Sequence, residues 1–166
     1  RYGYAFRRIP LTQGKYAIVD QDDFERLNKH KWHVSKSPNT FYAVRTIRVG
    51  SKRRSIKMHR EILHPPEHLF VDHINHNGLD NRNANLRPAT RAQNSRNSLK
   101  FRRKNASSKY KGVYWNEETK KWRANIHFNG KCIFLGSFKE EIKGAKAYDK
   151  AAKKYHGEFA SLNFKE

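Results

Sequence analysis

Apolar and polar residues alternate in short runs along the first third of the chain, which predicts a β-rich region. Residues 16–19 form an apolar run of strand length, and Asp20 stands where a helix over residues 22–29 would begin. Residues 41–49 and 54–58 predict the two arms of a hairpin, because turn-forming residues separate two strand-like runs. We therefore expect short strands and one short helix in this region.

The middle of the chain predicts two short strands around a loop, followed by a helix. A short helix over residues 59–63 is followed by prolines that stop it, and residues 69–74 are strand-like. Turn formers around Gly78 precede a second short strand at residues 85–87, and Thr90 can cap the helix that follows. The order of elements is therefore β-β-α.

The last third of the chain predicts a three-stranded sheet backed by a helix. Residues 121–128 alternate cleanly, Asn129-Gly130 is a strong signal for a type I′ hairpin turn, and residues 131–138 return as the next strand. A helix over residues 139–155 ends at Gly157. The residues expected on the apolar stripe of this helix are Ile142, Ala145, Tyr148, Ala152 and Tyr155.

Charge changes this picture by pointing to a polyanionic partner. The 166 residues carry 36 Lys and Arg against 15 acidic residues, a net charge of +21. Nucleic acid is the first candidate and an anionic membrane surface is the second. No apolar run approaches the roughly 20 residues that span a bilayer. The single cysteine, Cys132, excludes an internal disulfide and a multi-cysteine zinc site, and it suits a reducing cytoplasm.

Two basic segments have more than one interpretation. The basic residues of the hairpin at 41–58 either lie on a solvated sheet face or contact phosphate. The acid-free run at 99–108 is either a flexible tether or, as we favour, a basic arm that lies along DNA in a minor groove. The candidate DNA contacts in these segments are Arg45, Arg53, Arg54, Arg102 and Arg103.

Chemistry is concentrated in an Asp-His pair with side-chain amides around it. Phosphodiester hydrolysis needs a base for water and a cation for the phosphate and the leaving oxygen. Neighbours on a strand point to opposite faces, so Asp72 can hold a hard cation while His73 faces water. The helix can bring Asn94 back to Asp72, and Asn85 on the second strand can fix the loop and the tautomer of His73.

Asp72-His73, Asn85 and Asn94, within DHIN…LDNR…NLR…T…QN…N, resemble the HNH nucleases. The similarity covers residues 59–97 and is to the phage and bacterial homing endonucleases, in which asparagine replaces the last histidine. It implies that Asp72 and Asn94 bind one Mg²⁺ or Mn²⁺, that His73 is the general base and that Asn85 orients it. It also implies 5′-phosphate and 3′-hydroxyl products. One site per chain predicts nicking by a monomer on DNA.

Two other interpretations of this region compete with a nuclease site. The asparagines are also good turn formers in a polar loop, and Arg82 and Arg87 either contact phosphate or are solvated. The second competing interpretation is a zinc site, but the spacing of the histidines fits no common zinc finger. The clustered histidines are His59, His64, His68, His73 and His76.

The last third of the chain resembles the AP2/ERF DNA-binding domain through several blocks that occur in order. These blocks are YKGVYW from Tyr110, KWRANI from Lys121, FLGSF from Phe134, AKAYD from Ala145, Ala151-Ala152 and LNF from Leu162. The resemblance implies a three-stranded sheet that lies in the major groove. The residues expected on its DNA face are Lys111, Tyr114, Asn116, Lys121, Arg123, Asn125, His127 and Phe134. Plant members carry several arginines on this face, so their target sequence does not transfer, and an ordinary wet sheet surface is the alternative.

Together these observations predict an α+β protein of several modules. The expected modules are a β-rich region at 1–56, an HNH ββα-metal module at 57–98, a basic linker at 99–108 and an AP2/ERF-like domain at 109–166. The function expected is that of a site-specific DNA endonuclease in the cytoplasm of a bacterial or phage-infected cell. A non-cutting DNA-binding regulator is the main alternative, and a nucleic-acid binder or repair nuclease with little sequence preference is a third.

Overall fold

The protein combines short helices with several small antiparallel sheets. The computed structural model describes residues 5–100 and 105–164, so the predicted DNA contacts Arg102 and Arg103 lie outside the described residues. The chain divides into two compact units, Arg1–Asn94 and Ser95–Glu166. The predicted combination of α-helices and antiparallel β-strands is confirmed.

Up to residue 96 the elements are short and follow one another closely. In chain order they are β1 (Phe6–Pro10), β2 (Tyr16–Asp20), α1 (Gln21–Asn28), β3 (His33–Lys36), β4 (Phe41–Val49), β5 (Lys52–Lys57), α2 (Met58–Leu63), β6 (Phe70–His73), β7 (Leu86–Ala89) and α3 (Arg91–Arg96). Strands β1 and β2 pair, β4 lies between β3 and β5, and β6 pairs with β7.

Three predictions for this region are confirmed: the strand at 16–19, the helix after Asp20 and the hairpin from Phe41. Strand β5 begins two residues earlier than predicted, because Gly50 adopts a positive φ of 60° and Val49 pairs directly with Lys52.

A buried apolar core joins these elements. It includes side chains from the first sheet, both early helices and the β6–β7 hairpin, among them Ile9, Val19, Leu27, Trp32, Met58, Val71 and Leu86. This core contains residues from both sides of residue 56, where the sequence pattern predicts a boundary between two modules. The module boundaries themselves stay a prediction.

Strand β2 also holds the loop between β6 and β7. The N–H of Ile18 donates to the carbonyl of Leu79 at 2.8 Å, and the N–H of Asn81 donates to the carbonyl of Ile18 at 2.7 Å. Asp20 occupies the N-cap position of α1, but its side chain does not cap that helix; its carboxylate instead accepts from the main-chain N–H of Asn83 at 2.7 Å. The loop is therefore anchored from outside at both its middle and its end.

The second unit is a three-stranded antiparallel sheet with one long helix. Its elements are β8 (Val113–Asn116), β9 (Lys121–Phe128), β10 (Lys131–Phe138) and α4 (Glu141–His156), with β9 in the centre. Asn129 and Gly130 have φ values of 49° and 76°, the left-handed backbone that the predicted type I′ turn requires. Helix α4 ends at Gly157, as predicted.

Helix α4 lies on the sheet through small residues. Gly144, Ala145, Tyr148 and Ala152 are buried, and an ideal Cβ at Gly144 would lie only 3.4 Å from Val113. The prediction that Ile142 belongs to this stripe is wrong, since 48% of it is exposed. The buried stripe begins at Gly144, which leaves Ile142 in the first turn outside the packed surface.

No helix among the described residues is long and apolar enough to cross a membrane.

Candidate active site and nucleic-acid interface

The β6–β7 hairpin positions Asp72 and His73. Asp72 lies opposite Arg87 and His73 opposite Leu86 in the antiparallel register, and both Asp72 and His73 are buried. The carboxylate of Asp72 accepts a hydrogen bond from Arg87 Nε at 2.8 Å and forms an ion pair with its Nη2 at 2.7 Å. Arg87 therefore orients Asp72, a contact that the sequence pattern did not indicate.

His73 lies in a buried group of aromatic rings. The ring centroids of His73 and His59 are 5.0 Å apart, and Tyr42 lies 5.8 Å from His73 and 5.4 Å from His59. Burial lowers the pKa of His73 below its usual value, although the hydrogen bond with Asn81 and the charge of Asp72 act in the opposite direction. Burial also lowers the pKa of His59, to about 3. Both rings are therefore neutral near pH 7, and a neutral imidazole is the form that accepts a proton.

Asn81 contacts the ring of His73 directly. Its side-chain oxygen Oδ1 lies 3.3 Å from His73 Nε2, and the residue is 0% exposed. From the sequence alone, Asn81 is one of several asparagines of this loop that mostly suit turns. The contact depends on the folded loop, and no local signal distinguishes Asn81 from the other asparagines around it.

Asn85 braces the loop but does not make this contact with the ring. Its Oδ1 accepts from the N–H of Asn75 at 2.9 Å, and its Nδ2 donates to the carbonyl of Asp80 at 2.7 Å. It lies in a 3₁₀ turn, Asn83–Asn85, before β7 and not on the strand as predicted. The expected hydrogen bonds across the loop are present, whereas the side-chain amide that contacts the imidazole belongs to Asn81.

Helix α3 carries Asn94 and begins with a capping box. The Thr90 hydroxyl accepts from the N–H of Gln93 at 3.3 Å, and the Gln93 side chain accepts from the N–H of Thr90 at 2.8 Å. The predicted cap at Thr90 is therefore confirmed, and the helix ends at Arg96, two residues before the predicted end near Ser98. Asn94 lines a cavity of about 370 Å³ whose other lining residues include Tyr42, Lys57, His59 and Val71.

The oxygen donors of this site fit a hard divalent cation. Among the described residues, no three His, Cys, Asp or Glu side chains gather as a metal site. The donors named from the sequence, the carboxylate of Asp72 and the amide of Asn94, are of the kind that Mg²⁺ prefers, and Mg²⁺ commonly takes its remaining ligands from water and phosphate. The donor set is therefore chemically suitable without a second protein carboxylate.

The structure places Arg82 inside the fold, against the expectation that it contacts DNA. Arg82 and Asp80 are both buried, and Arg82 Nε donates to Asp80 Oδ1 at 2.6 Å while its Nη2 bonds to the other carboxylate oxygen. Burial raises the pKa of Asp80, but the hydrogen bonds and the charge of Arg82 outweigh burial, so the pKa is lowered overall. The pair stiffens the loop on either side of Asn81.

One face of the β8–β9–β10 sheet collects the polar residues predicted to meet DNA. In the register, Tyr114 lies opposite Arg123, and Asn125 lies opposite Phe134. The guanidinium of Arg123 lies over the ring of Phe134 at 4.8 Å, and Asn125 Nδ2 is 3.4 Å from the hydroxyl of Tyr114. Lys121 and His127 are exposed on the same strand. These side chains share a face, as the period-two pattern predicts.

Comparison with known proteins identifies the family. The sequence model of a family described as HNH endonuclease matches residues 64–96. The chain is 32% identical over 164 residues to an uncharacterized HNH endonuclease of Acanthamoeba polyphaga mimivirus, and the alignment covers 95% of this chain and 80% of that protein. This chain belongs to the HNH endonuclease family. It is therefore a nuclease, and the family implies DNA as its substrate.

A second similarity covers a smaller part of this HNH endonuclease. The chain is 41% identical over 58 residues to the AP2-like ethylene-responsive transcription factor TOE2 of Arabidopsis thaliana, which is 35% of this chain and 12% of that protein. APETALA2-like protein 2 of Oryza sativa subsp. indica is also 41% identical over 58 residues, with 13% of its length covered. The chain thus spans only a small part of these transcription factors.

Two other predicted DNA contacts of the nuclease have partners within the protein. Arg45 is half-buried; its Nε donates to Glu61 at 2.7 Å and its guanidinium lies 5.6 Å from the ring of Trp32. The ammonium of Lys111 donates to the carbonyls of Arg96 and Ser98 at 2.7 and 2.6 Å, and burial lowers its pKa to about 8. Against expectation, these two cations are directed to the protein itself. By contrast, the predicted contacts Arg53 and Arg54 are exposed on β5.

Proposed function

We propose that this HNH endonuclease is a metal-dependent, site-specific enzyme that nicks one DNA strand per binding event as a monomer. The observation that carries the proposal is His73, held neutral in a buried group beside Asp72. A neutral imidazole next to a carboxylate suits removal of a proton from water at neutral pH. Asn94 lies on the following helix and lines the adjacent cavity with His59.

Each residue of the site has a distinct role in this proposal. His73 takes the proton of the attacking water, and Arg87 orients the carboxylate of Asp72 through their ion pair. Asn85 holds the loop through the main chain of Asn75 and Asp80. When bound, Mg²⁺ or Mn²⁺ would be held by Asp72 and Asn94 and would neutralise the scissile phosphate and the leaving 3′ oxygen.

The sheet of the second unit is the proposed DNA reader. Two observations support it: the polar face that gathers Tyr114, Arg123, Asn125 and Phe134, and the similarity to plant transcription factors. An arginine can pair with guanine and an asparagine with adenine in the major groove. Arg123 and Asn125 stand two residues apart on one strand, so we propose that they read neighbouring positions of the target. Residues 57–98 would form the nuclease module and residues 109–166 the reader, joined by the basic segment at 99–108.

The test is conversion of supercoiled plasmid, with and without Mg²⁺, by the full chain. Metal-dependent formation of open circles on a subset of plasmids supports site-specific nicking. Linear product shows paired cuts, which would contradict action as a monomer on one strand. Binding without cutting on several plasmids, in Mn²⁺ as well as Mg²⁺, would favour the second candidate, a non-cutting DNA-binding regulator, to which the similarity to transcription factors points.

A further inference from the structure

The buried amide of Asn81 contacts the imidazole of His73. Asn81 Oδ1 lies 3.3 Å from His73 Nε2, and both residues are buried. In the neutral imidazole one ring nitrogen carries the proton and the other accepts, and the hydrogen-bond partner decides which is which. The residue that meets Nε2 therefore influences which nitrogen of His73 can take a proton from water.

The main chain around Asn81 is fixed on both sides. The N–H of Asn81 donates to the carbonyl of Ile18 at 2.7 Å, and the N–H of Ile18 donates to the carbonyl of Leu79 at 2.8 Å. The flanking residues Asp80 and Arg82 are locked together by a buried ion pair. The Asn81 side chain is therefore held against the ring by its neighbours and does not depend on its own rotamer preference alone.

Asn85 does not perform this task. Its Oδ1 is engaged with the N–H of Asn75 and its Nδ2 with the carbonyl of Asp80. Both polar atoms of this amide thus hold the loop backbone. The two amides therefore have different partners: Asn85 bonds to the loop backbone, and Asn81 contacts the ring of His73.

We propose that Asn81 is the positioning residue that fixes the tautomer of His73. Its Oδ1 accepts from Nε2–H, so Nδ1 is the nitrogen that takes the proton of the attacking water. The consequence for catalysis rests on the proposed function, because it assumes that His73 is the base. The tautomer itself is a property of the protein without DNA or metal, so it can be measured separately.

Nuclear magnetic resonance tests the tautomer directly. Long-range ¹H–¹⁵N spectra of the ¹⁵N-labelled full chain at pH 8 show which ring nitrogen carries the proton, and a His73→Gln spectrum assigns the signals. We expect the Nε2–H form in the wild type and in Asn81→Asp, which keeps an acceptor of the same shape. Asn81→Leu removes the acceptor and should give a mixture of tautomers. An Nδ1–H form in the wild type, or in Asn81→Asp, would overturn the proposal.

Cutting rates at saturating protein provide the second readout. Asn81→Leu should lower the single-turnover rate by about 10–100-fold with unchanged DNA affinity, the usual effect of losing a group that orients a reacting histidine or ligand. Asn83→Leu is the matched control, because Asn83 is an exposed amide of the same loop that bonds to Asp20 and not to His73. Its His73 tautomer should remain that of the wild type.

The two proposals fail in different ways. If the wild type cuts no DNA, the proposed function fails while the tautomer result stands on its own. If the wild type cuts and Asn81→Leu keeps both the rate and the single tautomer, only the role of Asn81 fails. If Asn81→Leu does not fold, the tautomers of the wild type and of Asn81→Asp decide the question.

Discussion

His59 and His73 lie edge to face in a buried group, and burial there favours the neutral form of both rings. Burial lowers the pKa of both residues, that of His59 to about 3. An unfolded chain gives histidine a pKa near 6.5, so at acidic pH the unfolded state binds more protons than the folded state. The stability that this pair contributes is therefore fully present above about pH 6.5 and is lost as the pH falls.

We predict that unfolding of the protein becomes easier between about pH 6.5 and pH 3, by on the order of a few kcal/mol. The measurement is thermal unfolding followed by circular dichroism at several pH values. His59→Phe, which keeps an aromatic ring without a titrating group, should show a smaller loss on acidification. An equal loss in both proteins would remove His59 as its source.

The buried ion pair of Asp80 and Arg82 is the second feature at this scale. Asp80→Asn should destabilise the protein by about 3–5 kcal/mol, because Arg82 would remain as a buried charge without its carboxylate. Glu117→Gln is the control, since its ion pair with Lys120 is exposed and should be worth only about 0–1 kcal/mol. Urea unfolding measures both, and similar effects for the two variants would contradict the account.

The sequence predicted some residues of the site and missed others for a physical reason. Asp72 and His73 are neighbours in the chain, so their pattern is visible without a structure. Asn81 and His59 meet His73 only after β2 and α2 have packed around the hairpin. Arg82 carried a charge that suggested a DNA contact, but its carboxylate partner two residues away turned it inward.

Among the elements, those with local signals were predicted well. The Asn129-Gly130 turn and the capping box at Thr90 are specified by residues within a few positions of one another. Features that depend on distant packing were less predictable. The exposure of Ile142 and the 3₁₀ turn at Asn85 follow from how α4 and the loop meet the rest of the fold.

A comparison of two glycines of the second unit separates the effect of backbone strain from that of steric crowding at the Cβ. Gly112 and Gly130 have nearly the same φ, 75° and 76°, so alanine is strained at both. A Cβ at Gly112 would lie 2.0 Å from the ring of the buried Tyr148, whereas a Cβ at Gly130 would meet nothing within 4 Å.

We therefore predict that Gly112→Ala destabilises the protein by about 1–3 kcal/mol more than Gly130→Ala, the usual cost of overpacking. Urea unfolding of the two variants is the measurement. Equal destabilisation would show that the backbone conformation alone determines the effect and that Tyr148 moves aside freely.

At the scale of the whole molecule, the dominant feature is the net positive charge. The net charge of +21 was visible from composition and points to a long contact with phosphates. The core shared by the first sheet, helix α2 and the β6–β7 hairpin could not be read from the sequence, because apolar runs do not reveal their partners.

We predict a steep loss of DNA affinity with salt. If about 6–10 phosphates are contacted, affinity should fall by roughly 10³–10⁵ between 50 and 200 mM salt. Fluorescence anisotropy with a labelled duplex measures this slope. Arg53→Gln should reduce the slope by about one, since this exposed side chain would neutralise one phosphate. A flat salt response would contradict an extended phosphate contact.

His73 is proposed to activate the attacking water. The most direct test of this role is single-turnover cutting of a plasmid substrate by the wild type, His73→Gln and His68→Gln at equal DNA occupancy. His68 is exposed and lies in the same region of the chain, so its substitution controls for the loss of a histidine. We predict a rate about 10²–10⁴ lower for His73→Gln, with unchanged DNA affinity, and a wild-type rate for His68→Gln. Undiminished cutting by His73→Gln would contradict it.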